Sequence, residues 1–290
     1  YGYWHLSICI FITLPKIIIF ISITIFMTTF EGTLTKMETE MGAPIQYYLI
    51  FDSNFINVNQ LINKDIEITH KGYQCLNCKK AKKIWRQGFC YDCFSTIPAA
   101  ADWIMKPELS TAHLNIEDRD LDYEKRVQLQ PHTVYLALSS EVKVGVTRNT
   151  QVPTRWIDQG AVQALPILET PNRYLAGVAE VALKNHFSDK TNWQKMLKNE
   201  VPNANLFEEK SNLKQWLPEE VLPYFIEEDT LYHFDFPVNK YPIKVSSLNL
   251  EKTPNFSGKV VGIKGQYLIF EDGTVFNVRT YEGYVVSLKF

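Results

Sequence analysis

The alternation of apolar and polar residues predicts a β-hairpin at the centre of the chain. The runs Thr133–Leu138 and Glu141–Val146 are rich in strand formers, and Ser139-Ser140 joins them with a spacing that suits a hairpin turn. Successive strand residues point to opposite faces, so every second residue of the first run shares a face. The apolar residues of one face are Val134, Leu136 and Leu138, and Tyr135 and Ala137 lie on the other.

A polar segment and then a helix follow this hairpin. The polar segment carries Thr147, Arg148 and Arg155. Apolar residues then recur at helical spacing from Leu175 to Leu183, and Glu180 stands among them. The pattern therefore predicts that a hairpin leads through an arginine-bearing segment to a helix with one carboxylate.

Strand-forming runs also occur near both ends of the chain. Phe30–Met37 and Ile45–Phe51 predict strands, and Phe55-Ile56 and Ile66–Ile68 indicate one or two more. Residues 235–290 contain four further runs with frequent glycine, and Asp272-Gly273 suits a hairpin turn between the second and third. These four runs predict a small β barrel of SH3-like or OB-like type. They are Lys259–Lys264, Gln266–Phe270, Thr274–Val278 and Tyr284–Leu288.

Two of these runs share a sequence pattern. Gln46–Phe51 reads QYYLIF, and Gln266–Phe270 reads QYLIF. Three interpretations are open at this point: the runs belong to two similar β modules, they belong to one sheet, or the likeness is coincidental.

Composition is that of an ordinary globular protein. The 290 residues are 46% hydrophobic and 21% charged, with a formal net charge of −2. This balance argues against non-specific binding of nucleic acid by bulk charge, but it permits local basic patches. The length is sufficient for one large domain or for two to three small ones.

The leader, residues 1–26, is strongly apolar and is expected to lie outside the fold. The apolar stretch from Leu6 to Phe30 is long enough to span a bilayer, which takes about 20 residues, but Pro15 and Lys16 interrupt it. We expect untranslated sequence read through from upstream or an irrelevant extension, with a membrane anchor and a signal peptide as the alternatives.

Four of the five cysteines form two CxxC pairs, Cys75 with Cys78 and Cys90 with Cys93. Two such turns can complete a tetrahedral thiolate site, which leaves no open coordination position, so a structural zinc ion is predicted. An iron–sulfur or rubredoxin-like iron site and a redox dithiol pair are the alternatives. The fifth cysteine, Cys9, lies in the leader.

The loop between the two CxxC pairs is basic, and two aromatic residues accompany its cations in the sequence, Trp85 within the loop and Tyr91 within the second pair. Cations can follow a phosphate backbone while aromatic rings stack on bases, so this loop is a candidate nucleic-acid-binding surface. The alternative is a solvated loop whose aromatic residues cover the metal site. The cations are Lys79, Lys80, Lys82, Lys83 and Arg86.

The central segment resembles the GIY-YIG endonuclease superfamily. Thr133-Val134-Tyr135 stands at the first signature tripeptide and Lys143-Val144-Gly145 at the second. The remaining matches, in order, are Thr147, Arg155, Glu180 and Asn192. The longer motifs KVGVTR, PTRWIDQGA and DKTNW are similar to an uncharacterised bacterial family that is often grouped with these nucleases, and that likeness extends over most of the chain from Met27 onward.

The resemblance implies a role for each matching residue. Glu180 would hold one divalent cation, magnesium or manganese, and Arg155 would contact the scissile phosphate with its planar guanidinium. Tyr135 would take or orient the proton of the attacking water, for which a lowered phenol pKa is expected. Thr147, Arg148 and Asn192 would be supporting polar groups.

The sequence departs from the resembling family at a signature position. Lys143 replaces the second signature tyrosine, and a lysine can reach a phosphate but is a poor proton acceptor unless it is buried. Gln159 lies one helical turn after Arg155, where some relatives have histidine.

The predicted fold is α/β (α+β), with a GIY-YIG-like core, a small zinc-knuckle module and a C-terminal β barrel. The predicted divisions are residues 1–26 (leader), 27–70 (β module), 71–106 (zinc knuckles), 107–130 (connector), 131–200 (core), 201–234 (linker helices) and 235–290 (barrel).

We predict a metal-dependent nuclease in the bacterial cytoplasm, acting on DNA or RNA, with membrane association only if the leader is an anchor. The alternatives are a non-catalytic, zinc-containing nucleic-acid-binding protein and a protein-interaction module.

Overall fold

The computed structural model describes residues 4–14, 17–51, 54–188 and 190–290, with side chains from Thr28 onward. The strands in these ranges are, in chain order, β1 (Trp4–Leu14), β2 (Ile17–Met27), β3 (Thr29–Thr33), β4 (Glu38–Glu40), β5 (Gln46–Phe51), β6 (Asn54–Asn57), β7 (Asp65–Tyr73), β8 (His132–Leu138), β9 (Val142–Arg148), β10 (Gln163–Thr170), β11 (Tyr232–His233), β12 (Ser246–Ser247), β13 (Asn255–Lys264), β14 (Tyr267–Phe270), β15 (Thr274–Asn277) and β16 (Tyr284–Lys289).

The α-helices in the same ranges are α1 (Tyr91–Thr96), α2 (Leu121–Gln128), α3 (Thr154–Asp158), α4 (Arg173–Leu183), α5 (Trp193–Leu197) and α6 (Leu206–Leu213). Short 3-10 turns connect several of them. Those used below are Val58–Leu61, Asp102–Ile104, Pro107–Leu109 and Val278–Tyr281. The mixed α/β class predicted from the sequence is confirmed.

The leader forms a hairpin. β1 and β2 pair antiparallel as a two-stranded sheet, with Trp4 opposite Met27 and Leu14 opposite Ile17. Pro15 and Lys16, which interrupt the apolar stretch and count against a membrane span, lie outside the described residues. Across the described ranges, no helix has the length and apolar character needed to cross a membrane.

Strands from both ends of the chain make one sheet of seven strands, in the order β12-β15-β14-β13-β7-β16-β3. A separate three-stranded sheet, β4-β5-β6, packs into the same hydrophobic cluster through Tyr47, Leu49 and Phe51. We refer to these two sheets together, residues 29–73 and 246–289, as the framework.

The prediction of a closed barrel for residues 235–290 is wrong. Among the described residues the seven-stranded sheet is open, since β12 at one edge pairs with β15 and β3 at the other edge pairs with β16. The C-terminal strands do not close on themselves, because β13 and β16 both pair with β7 from the N-terminal part of the chain. Their apolar faces are thereby buried against N-terminal residues.

The framework contains two similar units. In each unit a strand with the pattern Phe-x-Gly, Phe30–Gly32 or Phe256–Gly258, is followed by a hairpin, a 3-10 turn and a last strand. The hairpins have the same register, with Leu49 opposite Ile56 in one unit and Leu268 opposite Phe276 in the other. The shared QYYLIF and QYLIF pattern thus marks corresponding strands of two similar β modules, which lie in different sheets.

An approximate two-fold axis relates the two units. The corresponding residues Ile68 and Leu288 pair with each other between β7 and β16. On either side of them, Phe256 pairs with Ile68 and Phe30 pairs with Leu288. The first strand of each unit therefore pairs with the last strand of the other.

The central segment forms a four-stranded sheet in the order β11-β10-β8-β9. The predicted hairpin is present, since β8 and β9 pair antiparallel with Tyr135 opposite Gly145 and Ala137 opposite Lys143. The predicted helix is α4, which begins after the N-cap residue Asn172.

Every residue of β8 is buried because the strand separates two hydrophobic clusters. Val134, Leu136 and Leu138 pack in a cluster with residues of α4 and α6. Tyr135 and Ala137 belong to the framework cluster on the other face, together with Trp156 of α3. β8 therefore fixes the central sheet against the framework.

His132 at the start of β8 generates a prediction about stability. Its ring is buried, Nδ1–H donates to the Gln130 carbonyl oxygen at 2.7 Å, and Nε2 has no partner. Burial, with the charges of Arg173 and Arg148, lowers the pKa of His132 from 6.5 to about 4, although the Gln130 carbonyl opposes the shift.

Because the unfolded chain binds this proton and the folded protein does not, the free energy of unfolding should fall as the pH drops from 6.5 to about 4. The part due to His132 is on the order of 3 kcal/mol. Urea unfolding of the parent and of His132→Gln at several pH values will test this. The variant should lose that part of the dependence, and parallel curves would contradict the assignment.

Candidate functional site

The four cysteines of the two CxxC pairs lie together. The sulfur atoms of Cys75, Cys78, Cys90 and Cys93 are all within 4.8 Å of one another, and Cys78 Sγ lies 4.0 Å from Cys90 Sγ. A tetrahedral zinc–thiolate site, with Zn–S bonds of about 2.3 Å, requires sulfur–sulfur separations of about 3.8 Å. The cluster could therefore bind a metal ion such as zinc after a small contraction.

The local backbone holds the sulfur atoms in this arrangement. Cys90 N–H donates to Cys75 Sγ at 3.3 Å, and Asn77 Nδ2–H donates to Cys93 Sγ at 3.3 Å. Gly88 has a φ of +78°, and a Cβ there would clash with the Leu76 side chain, so glycine is required at this turn. Although burial raises the pKa of Cys75, nearby N–H donors lower it to about 6, which favours the thiolate needed for metal binding.

The predicted basic loop is exposed, and its cations are partly paired. Lys82 forms an ion pair with Asp92 at 2.6 Å, and Lys83 forms one with Glu251 at 3.4 Å. Trp85 and Tyr91 are more than half exposed, and their ring centroids lie 5.6 Å apart in an edge-to-face contact. Lys79, Lys80 and Arg86 are exposed as well. The two aromatic side chains thus stand in solvent rather than covering the cysteine cluster.

Four residues predicted to be catalytic line one cleft of about 220 Å³, which we call the core cleft. They are Tyr135 of β8, Lys143 of β9, Arg155 of α3 and Glu180 of α4. Residues with no role in the sequence-based prediction lie beside them: Gln159, Arg173, Lys184 and Lys190.

Tyr135 occupies its place because Gly145 lies opposite it. A Cβ at position 145 would lie 2.6 Å from the Tyr135 hydroxyl oxygen, so a larger residue would displace the ring. The Tyr135 hydroxyl donates to Gln159 Oε1 at 3.0 Å, and the ring packs edge-on against Trp156. Arg155, the neighbour of Trp156 on α3, lines the cleft instead.

The expectation of a lowered phenol pKa is not met in the protein by itself. Burial raises the pKa of Tyr135 above its usual value of 10.0, and the Glu180 carboxylate raises it further. Arg155 opposes both effects through its positive charge. Tyr135 is therefore a hydrogen-bond donor at neutral pH.

Glu180 is a buried carboxylate with an incomplete set of partners. Its side chain is 11% exposed, and Oε2 accepts no hydrogen bond but forms an ion pair with Lys184 Nζ at 3.4 Å. Burial raises the pKa of Glu180, an effect that Lys184 and Arg173 oppose and Glu108 reinforces. The carboxylate thus faces the cleft with a lysine as its ion-pair partner, and a metal ion bound there would share it with Lys184.

The connector is held close to this helix. Gly177, one turn before Glu180, faces the 3-10 turn Pro107–Leu109, and a Cβ at Gly177 would clash with the Glu108 backbone nitrogen. Arg173 donates to the carbonyl oxygens of Trp103 and Ile104 at 3.1 and 2.7 Å, which anchors the preceding turn. The connector therefore forms part of the cleft wall.

The remaining predicted residues have structural contacts. Lys143 is buried, and its Nζ donates to Thr191 Oγ1 at 2.7 Å. Asn192 is the N-cap of α5, where its side chain accepts from the backbone N–H groups of Gln194 and Lys195. Among the described residues, the lining of the core cleft does not include Asn192.

A second cleft of about 210 Å³, which we call the arginine cleft, adjoins the first. Arg155 and Arg173 line both clefts. The predicted supporting residues Thr147 and Arg148 line the arginine cleft, and the framework contributes Lys36 and Arg279 to it.

The sequence-based prediction omitted Arg173 and Arg279. Arg173 follows the N-cap Asn172 directly before the apolar periodicity of α4, a position from which its proximity to Glu180 could have been inferred. No local signal indicates that Arg279, from the other end of the chain, reaches the same region.

These features define an α/β protein of several sheets with a four-cysteine cluster and a cationic double cleft. The chain belongs to the family described as "Protein of unknown function (DUF2797)", whose model matches residues 63–286, well over half of the 290 residues. The predicted likeness to an uncharacterised family is thereby confirmed. Comparisons with curated proteins and with solved structures found no match.

The cysteine cluster predicts that the purified protein carries one metal ion per chain. Cys90→Ser should lose the ion and lower the melting temperature, because a structural zinc site contributes directly to folding. Metal analysis by mass spectrometry and thermal unfolding will measure both. Ser95→Ala, on the exposed side of α1, is the matched control; equal metal content in parent and Cys90→Ser would contradict the prediction.

Proposed function

We propose that this protein is a metal-dependent nuclease whose core cleft hydrolyses a phosphodiester of DNA or RNA. The observation that carries the proposal is that Tyr135, Lys143, Arg155 and Glu180 line one cleft, although they come from two strands and two helices. The GIY-YIG resemblance assigns this combination of residues to phosphodiester hydrolysis. An active site requires such convergence on one accessible volume.

The donor set of the cleft fits a divalent cation. Glu180 is a buried carboxylate whose Oε2 accepts no hydrogen bond and is neutralised by Lys184 at 3.4 Å, a loose ion pair that leaves room for a metal ion to bind the same carboxylate. Magnesium and manganese prefer carboxylate oxygen and keep several waters, so one carboxylate beside open volume is a suitable anchor. A bound cation would supply a water of lowered pKa and stabilise charge on the phosphate.

The positive side chains of the cleft supply the remaining charge stabilisation. Arg155 presents a planar guanidinium suited to two phosphate oxygens, and Lys143 lies buried in the adjacent strand. Lys143 is held by Thr191, so its ammonium group is fixed before substrate binds. Fixed charges of this kind stabilise the negative charge that develops in the transition state.

Tyr135 would orient the attacking water. Its hydroxyl donates to Gln159, so a water in the cleft can donate to the phenolic oxygen. Cation binding near Glu180 would offset the carboxylate charge that raises the pKa of Tyr135.

We further propose that the cysteine cluster holds structural zinc and that the exposed basic loop contacts the nucleic-acid substrate. The four thiolates would complete the coordination of the ion and leave no position for a reacting water. Trp85 and Tyr91 present exposed rings beside cations, an arrangement that suits unpaired bases.

A non-catalytic nucleic-acid-binding protein is the second candidate function. The observation in its favour is that Lys143 replaces the signature tyrosine while Tyr135 donates to an amide, Gln159, which is not a proton acceptor at neutral pH. Binding would require only the positive surface of the clefts and the basic loop.

The two candidates predict different outcomes for Glu180→Gln. If the protein is a nuclease, the parent should cut labelled single-stranded, duplex, branched or RNA substrates with magnesium or manganese, and Glu180→Gln should lose at least about 100-fold in rate. Gel assays of the full chain will measure this. Glu220→Gln, an exposed carboxylate outside the lining of either cleft, is the control for charge and should retain the parental rate.

Comparing the parent with Glu180→Gln and Glu220→Gln distinguishes a nuclease from a non-catalytic nucleic-acid-binding protein. Salt-sensitive binding without cutting by the parent would support the non-catalytic candidate. Equal cutting by the parent and Glu180→Gln would reject the assigned site.

A further inference from the structure

The arginine cleft has more positive charge than the proposed reaction needs. Its lining contains four arginines, Arg148, Arg155, Arg173 and Arg279, together with Lys36 and a single carboxylate, Asp158. Lys36 Nζ pairs with Asp158 Oδ2 at 3.1 Å, and Gln266 Nε2 donates to Asp158 Oδ1 at 2.8 Å. The one negative group is thereby satisfied, and the charge of the arginines is left without a counterion in the lining.

Arg279 is the framework's contribution to this cleft. It lies in the 3-10 turn Val278–Tyr281, whose N-cap Asn277 accepts from Thr280 N–H. The side chain is exposed, and among the described residues it makes no hydrogen bond or ion pair. Burial lowers the pKa of Arg279 and the charge of Arg155 lowers it further, while Asp158 and Glu282 oppose the shift, so Arg155 lies near enough to repel it.

The residue that corresponds to Arg279 in the first unit of the framework carries no charge. Its counterpart in the first unit is Asn59, which follows the matching pair Asn57-Val58 as Arg279 follows Asn277-Val278. Asn59 has a structural role, since Oδ1 accepts from Tyr47 N–H at 2.9 Å and Nδ2 donates to the Ile45 carbonyl at 2.8 Å. At the corresponding position of the second unit, Arg279 instead lines the arginine cleft.

Lys36, like Arg279, has an uncharged counterpart in the other unit. By the alignment of Phe30–Gly32 with Phe256–Gly258, its counterpart is Gly262, which has no side chain to offer. The two framework cations of the arginine cleft thus lack positively charged counterparts in the other unit. Both lie on the side of the framework that faces the central sheet.

We propose that the arginine cleft is a second phosphate-binding subsite, in which Arg279, Arg148 and Arg173 hold a backbone phosphate next to the one that is cut. The identity of its ligand, a nucleic-acid strand, rests on the proposed function. It makes the minimum substrate longer than a single phosphodiester unit.

The positions of the lining residues separate the two phosphates. Arg279 and Arg148 line the arginine cleft alone, whereas Tyr135, Lys143 and Glu180 line the core cleft alone. Arg155 and Arg173 lie between them and line both. Glu180 and Arg279 therefore line different clefts, which share Arg155 and Arg173, and we assign a separate phosphate to each.

The experiment measures binding without cleavage. Fluorescence anisotropy with a labelled eight-nucleotide single strand, and competition with a dinucleoside monophosphate, are recorded without added divalent ion for the parent and Arg279→Gln. Lys64→Gln removes one positive charge from the same framework outside both clefts and is the matched control. Melting temperature and metal content confirm that each variant is folded.

Arg279→Gln should bind the eight-nucleotide strand roughly tenfold more weakly, because a charge-assisted hydrogen bond to phosphate is lost. The slope of log K against log salt should decrease by about 0.7 for a single strand. The dinucleoside monophosphate, with one phosphodiester, should bind the parent and Arg279→Gln equally.

Two results would overturn the subsite. One is an affinity of Arg279→Gln for the eight-nucleotide strand equal to that of Lys64→Gln. The other is the same loss for the dinucleoside monophosphate as for the long strand, which would place Arg279 at the cut phosphate. Loss of cleavage on Glu180→Gln is measured separately, so failure of the nuclease assignment is distinguishable from failure of the subsite.

Discussion

The pairing of β7 with β16 is the constraint on which the rest of the structure depends. It joins strands from opposite ends of the chain, with Ile68 opposite Leu288, and each of these residues pairs on its other side with the first strand of the partner unit. The cysteine cluster, the connector and the central sheet are all inserted between these strands. Closing so long a loop costs conformational entropy, which the buried apolar faces of both units offset.

The central sheet attaches to this framework through β8. Because its two faces enter different hydrophobic clusters, a shift of one residue would move Tyr135 out of one cluster and Val134 out of the other. This strict register places the Tyr135 hydroxyl opposite Gly145 and beside Arg155. The position of the candidate reacting groups is thus a consequence of packing on both sides of one strand.

The two clefts are lined mainly by positive charge, although the formal net charge of the protein is −2. Positive side chains from α3, α4, β9 and the framework converge there, while carboxylates near them are few and either paired, as Asp158 is, or buried, as Glu180 is. Burial lowers the pKa of Arg173 to about 10; Glu180 opposes this shift, and the charges of Arg148 and Arg155 add to it. Such a concentration of like charge is unfavourable unless negative charge lies close to it.

The sequence by itself determined the elements whose signals are local. The hairpin of β8 and β9, the helix α4 and the two CxxC turns follow from periodicity, turn residues and metal-ligand spacing, and the matching motifs placed Tyr135, Lys143, Arg155 and Glu180 as candidate residues. Only the tertiary structure decided how the terminal strands pair and which residues complete the clefts. Strands of similar composition can pair in several ways, so residues 235–290 were predicted to close into a barrel, whereas β13 and β16 pair with β7. Arg279 and Arg155 line the same cleft because the framework packs against the central segment, a long-range contact that the residues next to Arg279 in the chain do not indicate.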